Sequence, residues 1–254
     1  MMMEPSPASF GKPRRLGMAL SAFKRISRSI RWRPQGIRAI VERDVREIAD
    51  VERLDQMPQL LRALAHHSGQ LLNFTQLAGQ VGLDAKTAQR YIGLFENLFL
   101  VRRIEPWFRN PLKRLVKTPK LVFLDSGLLG ALTGLTANRI VNDRSLFGTL
   151  LETFVANEVL RLATWSDIHL NFYHYRDKDQ DEVDIILEND VGEIVGLEVK
   201  AAATVTPQDF KGLRKVATAT GKAFRAGFVL YDGDKILPFG EKMAALPLSC
   251  LWSD

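Results

Sequence analysis

The sequence predicts a mixed α/β fold, α+β overall, in which a helical module ending in a β-hairpin precedes an α/β sandwich. Three observations predict it. Apolar residues recur with a period near 3.6 through residues 37–98. The runs HLNFYHYR, EVDIILE and EIVGLEVK have the β-branched and aromatic content of consecutive strands. A well-patterned helical stretch stands on either side of those runs. With 254 residues and 46% apolar composition there is room for one large domain or two small ones. The expected division is a basic, disordered leader over residues 1–36, a helical linker and winged helix-turn-helix over 37–145, and an α/β domain over 146–254.

The net charge of +6 suggests nucleic-acid binding until it is divided along the chain. Residues 1–38 hold nine Lys or Arg against Glu4 alone, a net +8, which leaves −2 for the rest. DNA contact by the folded part therefore has to rest on local patches. The leader's Arg- and Ser-rich composition fits a poorly ordered arm, a basic binding arm or a targeting segment alike. A single cysteine, Cys250, excludes an intrachain disulfide, and His66, His67, His169 and His174 lack zinc-site spacing. A reducing, cytoplasmic setting is expected, and no apolar run has the length of a membrane span.

The elements follow in order. IRAIVERDVREIADV repeats apolar residues at helical spacing, and QMPQLLRALAHHSG forms a second helix closed by Gly69. NFTQLAGQVG is a short helix capped by Asn73 or Thr75 and ended by Gly82. LDAKTAQRYIGLFENLFLV opens on Asp84 as N-cap and sets Ala88, Tyr91, Ile92, Phe95, Leu98 and Phe99 on one buried stripe. Short helix, glycine turn and longer helix make a helix-turn-helix, and the strands in FLVRRIEPW and KLVFLD would form its wing. Lys86, Thr87, Gln89 and Arg90 lie near the start of the longer helix, where a recognition helix meets base edges and phosphates. Arg102, Arg103, Arg109, Lys113, Arg114, Lys117 and Lys120, with Trp107 and Phe108 among them, give the wing a phosphate-binding character. Such modules also serve as protein docking units, so fold alone does not decide the partner. DSGLLGALTGL reads as a helix capped by Asp125 or Ser126, GTLLETFVANEVLRLATW as a longer helix, PQDFKGLRKVATATG as the helix after the strands, and AGFVLYDGD as a further strand.

The chemistry is concentrated in DEVDIILENDVGEIVGLEVK, residues 181–200. Strand alternation points Glu198 and Lys200 one way and Leu197 and Val199 into a core; in the preceding strand Glu182 and Asp184 share a face, with Val183 and Ile185 on the other. A turn at residues 189–192 pairs the two strands and can bring Asp184 beside Glu198 and Lys200. Two carboxylates about 4 Å apart repel by roughly 4 kcal/mol at an effective dielectric of about 20. A partner is required, either a divalent cation or Lys200. An all-oxygen ligand set favours Mg²⁺ or Mn²⁺ over zinc. A salt-bridged cluster with no catalytic role satisfies the same residues.

An Asp followed by Glu-x-Lys on the adjacent strand, behind a Glu-bearing helix, resembles the PD-(D/E)XK nuclease superfamily with its restriction-endonuclease-like α/β fold. The resemblance implies Asp184 and Glu198 as metal ligands, Lys200 as the group that orients or activates the attacking water, and Glu152 as a supporting carboxylate from the helix. Glu158 is the rival for that last role, and Tyr175 and Arg176 stand where they can meet a phosphate. A wider resemblance, carried by IVERDVREI, LLNFTQLAGQVGLDAKTAQRYIGLFENLFLV, KTPKLVFLDSGLL, GTLLETFVANEV and LEVKAA, is to the C-terminal half of prokaryotic AAA-family ATP-binding proteins. In that family a P-loop ATPase domain precedes these segments. The P-loop needs Gly-x4-Gly-Lys-Ser/Thr. Gly11-Lys12 stands too near the start, and Gly221-Lys222 has Val216 in place of the first glycine and Ala223 after the lysine. No ATPase site is carried over. The expectation is a DNA-binding protein with a Mg²⁺-dependent nuclease or nuclease-derived site. The alternative is a non-catalytic adaptor, or a truncated remnant, acting through an ATPase partner or homologous subunit.

Overall fold

The structure is a computed structural model and describes residues 41, 43–45, 53–108, 118–136, 139–140 and 145–252. The leader expected over 1–36 and most of the helix expected over 37–51 lie outside these residues, although 41 and 43–45 are helical, with Val41 and Val45 buried. After a single 3₁₀ turn, α1 (Met57–His66) buries Met57, Leu60, Leu61, Leu64 and Ala65. α2 (Phe74–Gln80) begins where Asn73 accepts a hydrogen bond from the Gln76 N–H at 3.0 Å, the capping interaction that offsets orphan helix donors. Gly82 takes the left-handed conformation (φ +70°) that a side chain resists. α3 (Ala85–Asn97) is capped by Asp84, which accepts from the Thr87 N–H at 2.9 Å, and it buries Ala88, Tyr91, Ile92 and Phe95. The stripe expected to continue through Phe99 stops short. The helix ends at Asn97, and Phe99 adopts φ +54° and is 79% exposed.

β1 (Val101–Pro106) and β2 (Lys120–Phe123) form an antiparallel hairpin that pairs Ile104 with Lys120. α4 (Ser126–Leu132) is capped by Asp125, and α5 (Ser145–Ala163) follows. Then come β3 (Leu170–Arg176), β4 (Glu182–Asn189), β5 (Ile194–Lys200), α6 (Lys211–Thr220), β6 (Phe224–Tyr231), β7 (Leu237–Gly240) and β8 (Met243–Pro247). The expected strands over 169–200 and 226–234 are present. β7 and β8 carry no strong strand signature, being short and holding Pro238, Gly240 and Pro247.

One mixed sheet of eight strands results, in the order β2-β1-β3-β4-β5-β6-β8-β7. The hairpin of the N-terminal segment is part of it, because β1 pairs parallel with β3 at Glu105↔Tyr173. One core joins α1, α3 and α5 to Ile185, Leu197 and Val199. A second gathers Val183, Ile186 and Val229 with Phe210, Leu213 and Val216. Strict alternation would give Val183 and Ile185 the same face, but they belong to different cores. The cause is a β-bulge: between Tyr173↔Ile186 and Tyr175↔Val183, β4 contributes one more residue than β3. Bulges re-aim side chains, and the residue between Val183 and Ile185 is Asp184. Among the described residues no helix is long and apolar enough to cross a membrane.

α6 reaches β4 closely enough that a Cβ on Gly212 would lie 2.0 Å from the Glu182 carbonyl oxygen. Gly212→Ala is expected to destabilise the fold by roughly 1–3 kcal/mol through overpacking. Gly79→Ala, at an α2 position where nothing lies within 4 Å of the added Cβ, is expected to be neutral or stabilising. Denaturant midpoints of the two variants check the contrast.

Candidate active site

β4 and β5 pair as far as Ile185↔Leu197, which leaves Asp184 and Glu198 as the next residues at that end of the two strands. Asp184 Oδ2 accepts a hydrogen bond from the Val199 backbone N–H at 2.9 Å, which fixes the carboxylate across the strand gap. Lys200 Nζ donates to Glu198 Oε1 at 2.9 Å. Glu198 is only 7% exposed, and its Oε2 is buried with no hydrogen-bond partner among the described residues. A buried acceptor left unsatisfied is costly, which makes this oxygen a candidate ligand atom.

The helix phase left open by the sequence resolves in favour of Glu152. Its neighbour Thr153 is fully buried, with its Oγ1 in a hydrogen bond with Ser68 Oγ at 3.2 Å. A Cβ on Gly69, which has φ +76°, would stand 3.1 Å from Glu152 Oε2, so the bare glycine leaves that carboxylate its room. Glu158 pairs instead with Arg161, one turn along the same helix.

One member of the cluster was not foreseen. Lys120, which opens β2, is 4% exposed; its Nζ lies 3.3 Å from Asp184 Oδ1 and 3.5 Å from Glu182 Oε2. The sequence signal was a lysine at the head of the otherwise apolar KLVF, a strand buried at every position.

The charges act on one another. Burial, reinforced by the Asp184 charge, pushes the Glu152 carboxyl up to about 8, with Lys120 pulling in the opposite direction. Burial and Asp184 likewise raise Glu198 to about 8, against the pull of Lys200. Burial disfavours the Lys120 ammonium, but Asp184, Glu182 and Glu152 outweigh it, and the net shift is upward. Lys200 also ends up raised, as Glu198 overcomes the cost of its burial. Both lysines therefore remain charged at neutral pH.

In ligand chemistry the donor set is of the kind a divalent cation takes. The ligands are hard oxygens, Glu198 Oε2 is unsatisfied, and an ionised carboxylate oxygen that already accepts one hydrogen bond keeps acceptor capacity. Asp184 and Glu198 would hold it, with Glu152 in support. The tightest acidic group among the described residues is a different one. Ligand oxygens of Asp177, Asp179 and Asp181 lie within 4.8 Å of one another, a spacing that Glu152, Asp184 and Glu198 do not share. Lys215 fills that trio: its Nζ lies 2.6 Å from Asp177 Oδ2 and 3.1 Å from Asp179 Oδ2, and it pairs with Asp181 as well.

Of the residues expected to meet DNA, Lys86, Gln89 and Arg90 are exposed on α3, and Thr87 is half-buried at the cap. Arg102 is exposed, with its guanidinium 5.9 Å from the Phe172 ring centroid. Arg103 is held by Glu96 through Nε–Oε1 at 2.8 Å and Nη2–Oε2 at 2.5 Å, a bidentate pair that ties α3 to β1. Trp107, expected among the wing's exposed aromatics, belongs to the core around Val183 and Leu213. Arg109, Lys113, Arg114 and Lys117 lie outside the described residues.

The molecule is thus a mixed α/β protein with a buried carboxylate–lysine cluster where β2, β4, β5 and α5 converge. Residues 19–139 match the model of a domain of unknown function, DUF8612, and residues 147–251 that of another, DUF4143, which is typically found at the C-terminus of AAA-ATPase proteins. The chain is similar to an uncharacterized protein of Mycobacterium tuberculosis and to one of Mycobacterium bovis. Each is 28% identical over 219 residues, which is 86% of this chain and 48% of the relative. The chain spans about half the length of the curated relatives it matches.

The raised carboxyls have a thermodynamic consequence. Folded Glu152 and Glu198 still hold protons that the unfolded chain has lost, so without divalent cations stability falls as pH rises from the ordinary carboxylate range to about 8. Each group contributes a slope of up to about 1.4 kcal/mol per pH unit. Thermal denaturation in EDTA should show this decline, and Glu152→Gln should reduce it. A wild-type midpoint that rises across that range contradicts the assignment.

Proposed function

We propose that the chain binds DNA and hydrolyses phosphodiesters at a Mg²⁺-dependent site of the nuclease type. The observation that carries this reading is the buried, unsatisfied Glu198 Oε2, flanked by Lys200 on the same strand and by Asp184 on the next. A divalent cation bound there supplies Lewis-acid polarisation of a phosphoryl oxygen and lowers the pKa of water. Lys200, kept charged by Glu198, is a donor and not a base. Its role is to orient the attacking water and to stabilise the negative charge that grows on phosphorus oxygens as the new P–O bond forms and the ester P–O bond breaks. Glu152, sharing the charge field of Asp184 and Lys120, sets the net charge of the site. The winged helix-turn-helix reading of α2, α3 and the β1–β2 hairpin supplies the DNA contact, through Lys86, Gln89 and Arg90 and through Arg102. The PD-(D/E)XK resemblance supports the same assignment of roles.

The second reading, a non-catalytic adaptor acting with an ATPase partner, is favoured by the match to a domain typical of AAA-ATPase C-termini.

Purified protein should cleave plasmid or branched DNA with Mg²⁺ or Mn²⁺ but not in EDTA. Glu198→Ala and Lys200→Ala should each lower the rate on the order of a hundredfold or more. Equal rates in the variants mean a contaminating nuclease and favour the adaptor, which a pull-down of an ATPase from the host would support. Lys86→Ala and Arg90→Ala should weaken DNA binding without sequence preference. Each should also reduce the salt dependence by about one phosphate contact.

A further inference from the structure

The lysine on β2 raises a question that hydrolysis does not answer. A lysine at 4% exposure is costly to bury charged, and the cost is recovered only by close, well-placed partners. Its contacts at 3.3 and 3.5 Å supply them. The same charge draws down both Glu152 and Glu198, so every carboxylate of the cluster is electrostatically tied to Lys120. Arg176 adds a further cation beside Glu182, its Nη1 3.5 Å from Glu182 Oε2, and His174 is neutral, because burial and the Lys120 charge bring its pKa down to about 3. On the far side Lys200 serves Glu198. Asp184, like Glu182, therefore takes its positive partner from outside the β4–β5 pair, and Lys120 is closest to Asp184.

The backbone that delivers Lys120 is firmly held. Lys120 pairs with Ile104 on β1 and bridges to Leu71, and Asn157 of α5 donates its Nδ2–H to the Phe123 carbonyl oxygen at 3.0 Å. The ammonium thus reaches Asp184 from a fixed strand of the N-terminal segment, whereas Asp184, Glu198 and Lys200 all belong to the β4–β5 pair.

We infer that Lys120 is a tethered cation: it occupies the cation position on Asp184 in the unloaded site, keeps the cluster folded without metal, and competes with a divalent ion for that carboxylate. The inference rests on the metal-site reading above and adds to it a residue that sets metal affinity. A divalent cation held by Asp184 would stand close to the Lys120 ammonium, itself 3.3 Å from Asp184 Oδ1, and like charges about 4 Å apart repel by roughly 4 kcal/mol per unit-charge pair at an effective dielectric of about 20. Removing the ammonium while keeping the stem makes metal binding more favourable and folding without metal less so.

The test uses Lys120→Met, which preserves the stem's length, and Lys120→Arg, which preserves the charge, both in the full chain. Mn²⁺ binding is followed by calorimetry, and thermal stability is measured with EDTA and with Mn²⁺. Lys120→Met should bind Mn²⁺ at least tenfold more tightly than wild type, and Lys120→Arg within about threefold of it. In EDTA the Met variant should melt below wild type, and Mn²⁺ should close that gap. A Met variant that folds only with Mn²⁺ supports the inference as well. Wild-type binding with unchanged affinity in Lys120→Met overturns the inference and leaves the metal site standing. A stability gap that Mn²⁺ does not narrow, or a Met variant unfolded under both conditions, reduces Lys120 to a packing role and also overturns it. If neither wild type nor Lys120→Met binds Mn²⁺, the metal-site reading fails and this inference with it.

Discussion

Carboxylates gathered at one end of a sheet repel one another by amounts comparable with the whole stability of a domain. A fold that collects Glu152, Glu182, Asp184 and Glu198 must therefore bring positive charge into the same space. This chain does so from two directions. Lys200 comes from the strand that carries Glu198, and Lys120 comes from the edge hairpin. What the lysines leave uncompensated is absorbed by protons on Glu152 and Glu198. The eight-stranded sheet can be understood as the frame that this balance requires, since the hairpin must join β3 for Lys120 to reach Asp184.

Much of the frame was legible in the sequence. The helix caps at Asn73, Asp84 and Asp125 and the left-handed turn at Gly82 follow from local chemistry that no tertiary contact overrides. The β4–β5 pair was readable because apolar residues at Leu197 and Val199 define one face and leave Glu198 and Lys200 no choice but the other. That Asp184 and Glu198 come to the same end of the strand pair follows from the turn between the strands.

What escaped was long-range. The bulge in β4 depends on pairing with β3 and has no mark in EVDIILE itself, so Val183 and Ile185 separate into two cores where alternation predicts one. The choice of Glu152 over Glu158 depends on helix phase, which Thr153 and Ser68 fix through a buried contact 85 residues apart in sequence. Lys120 read as one more cation on a solvated wing, because nothing local says that β1 will extend the sheet of a later segment. The partners of Arg103 and Trp107, Glu96 and the core around Val183, become visible only in three dimensions for the same reason.

The central claim is that these carboxylates share a divalent cation. A crystal structure of the chain grown or soaked in Mn²⁺, with data collected at a wavelength where manganese scatters anomalously, tests it most directly. The account predicts one anomalous peak at coordination distance from Asp184 and Glu198, with the Lys200 ammonium beside it. An occupied Mn²⁺ position elsewhere, such as among Asp177, Asp179 and Asp181, with none at Asp184, would contradict it.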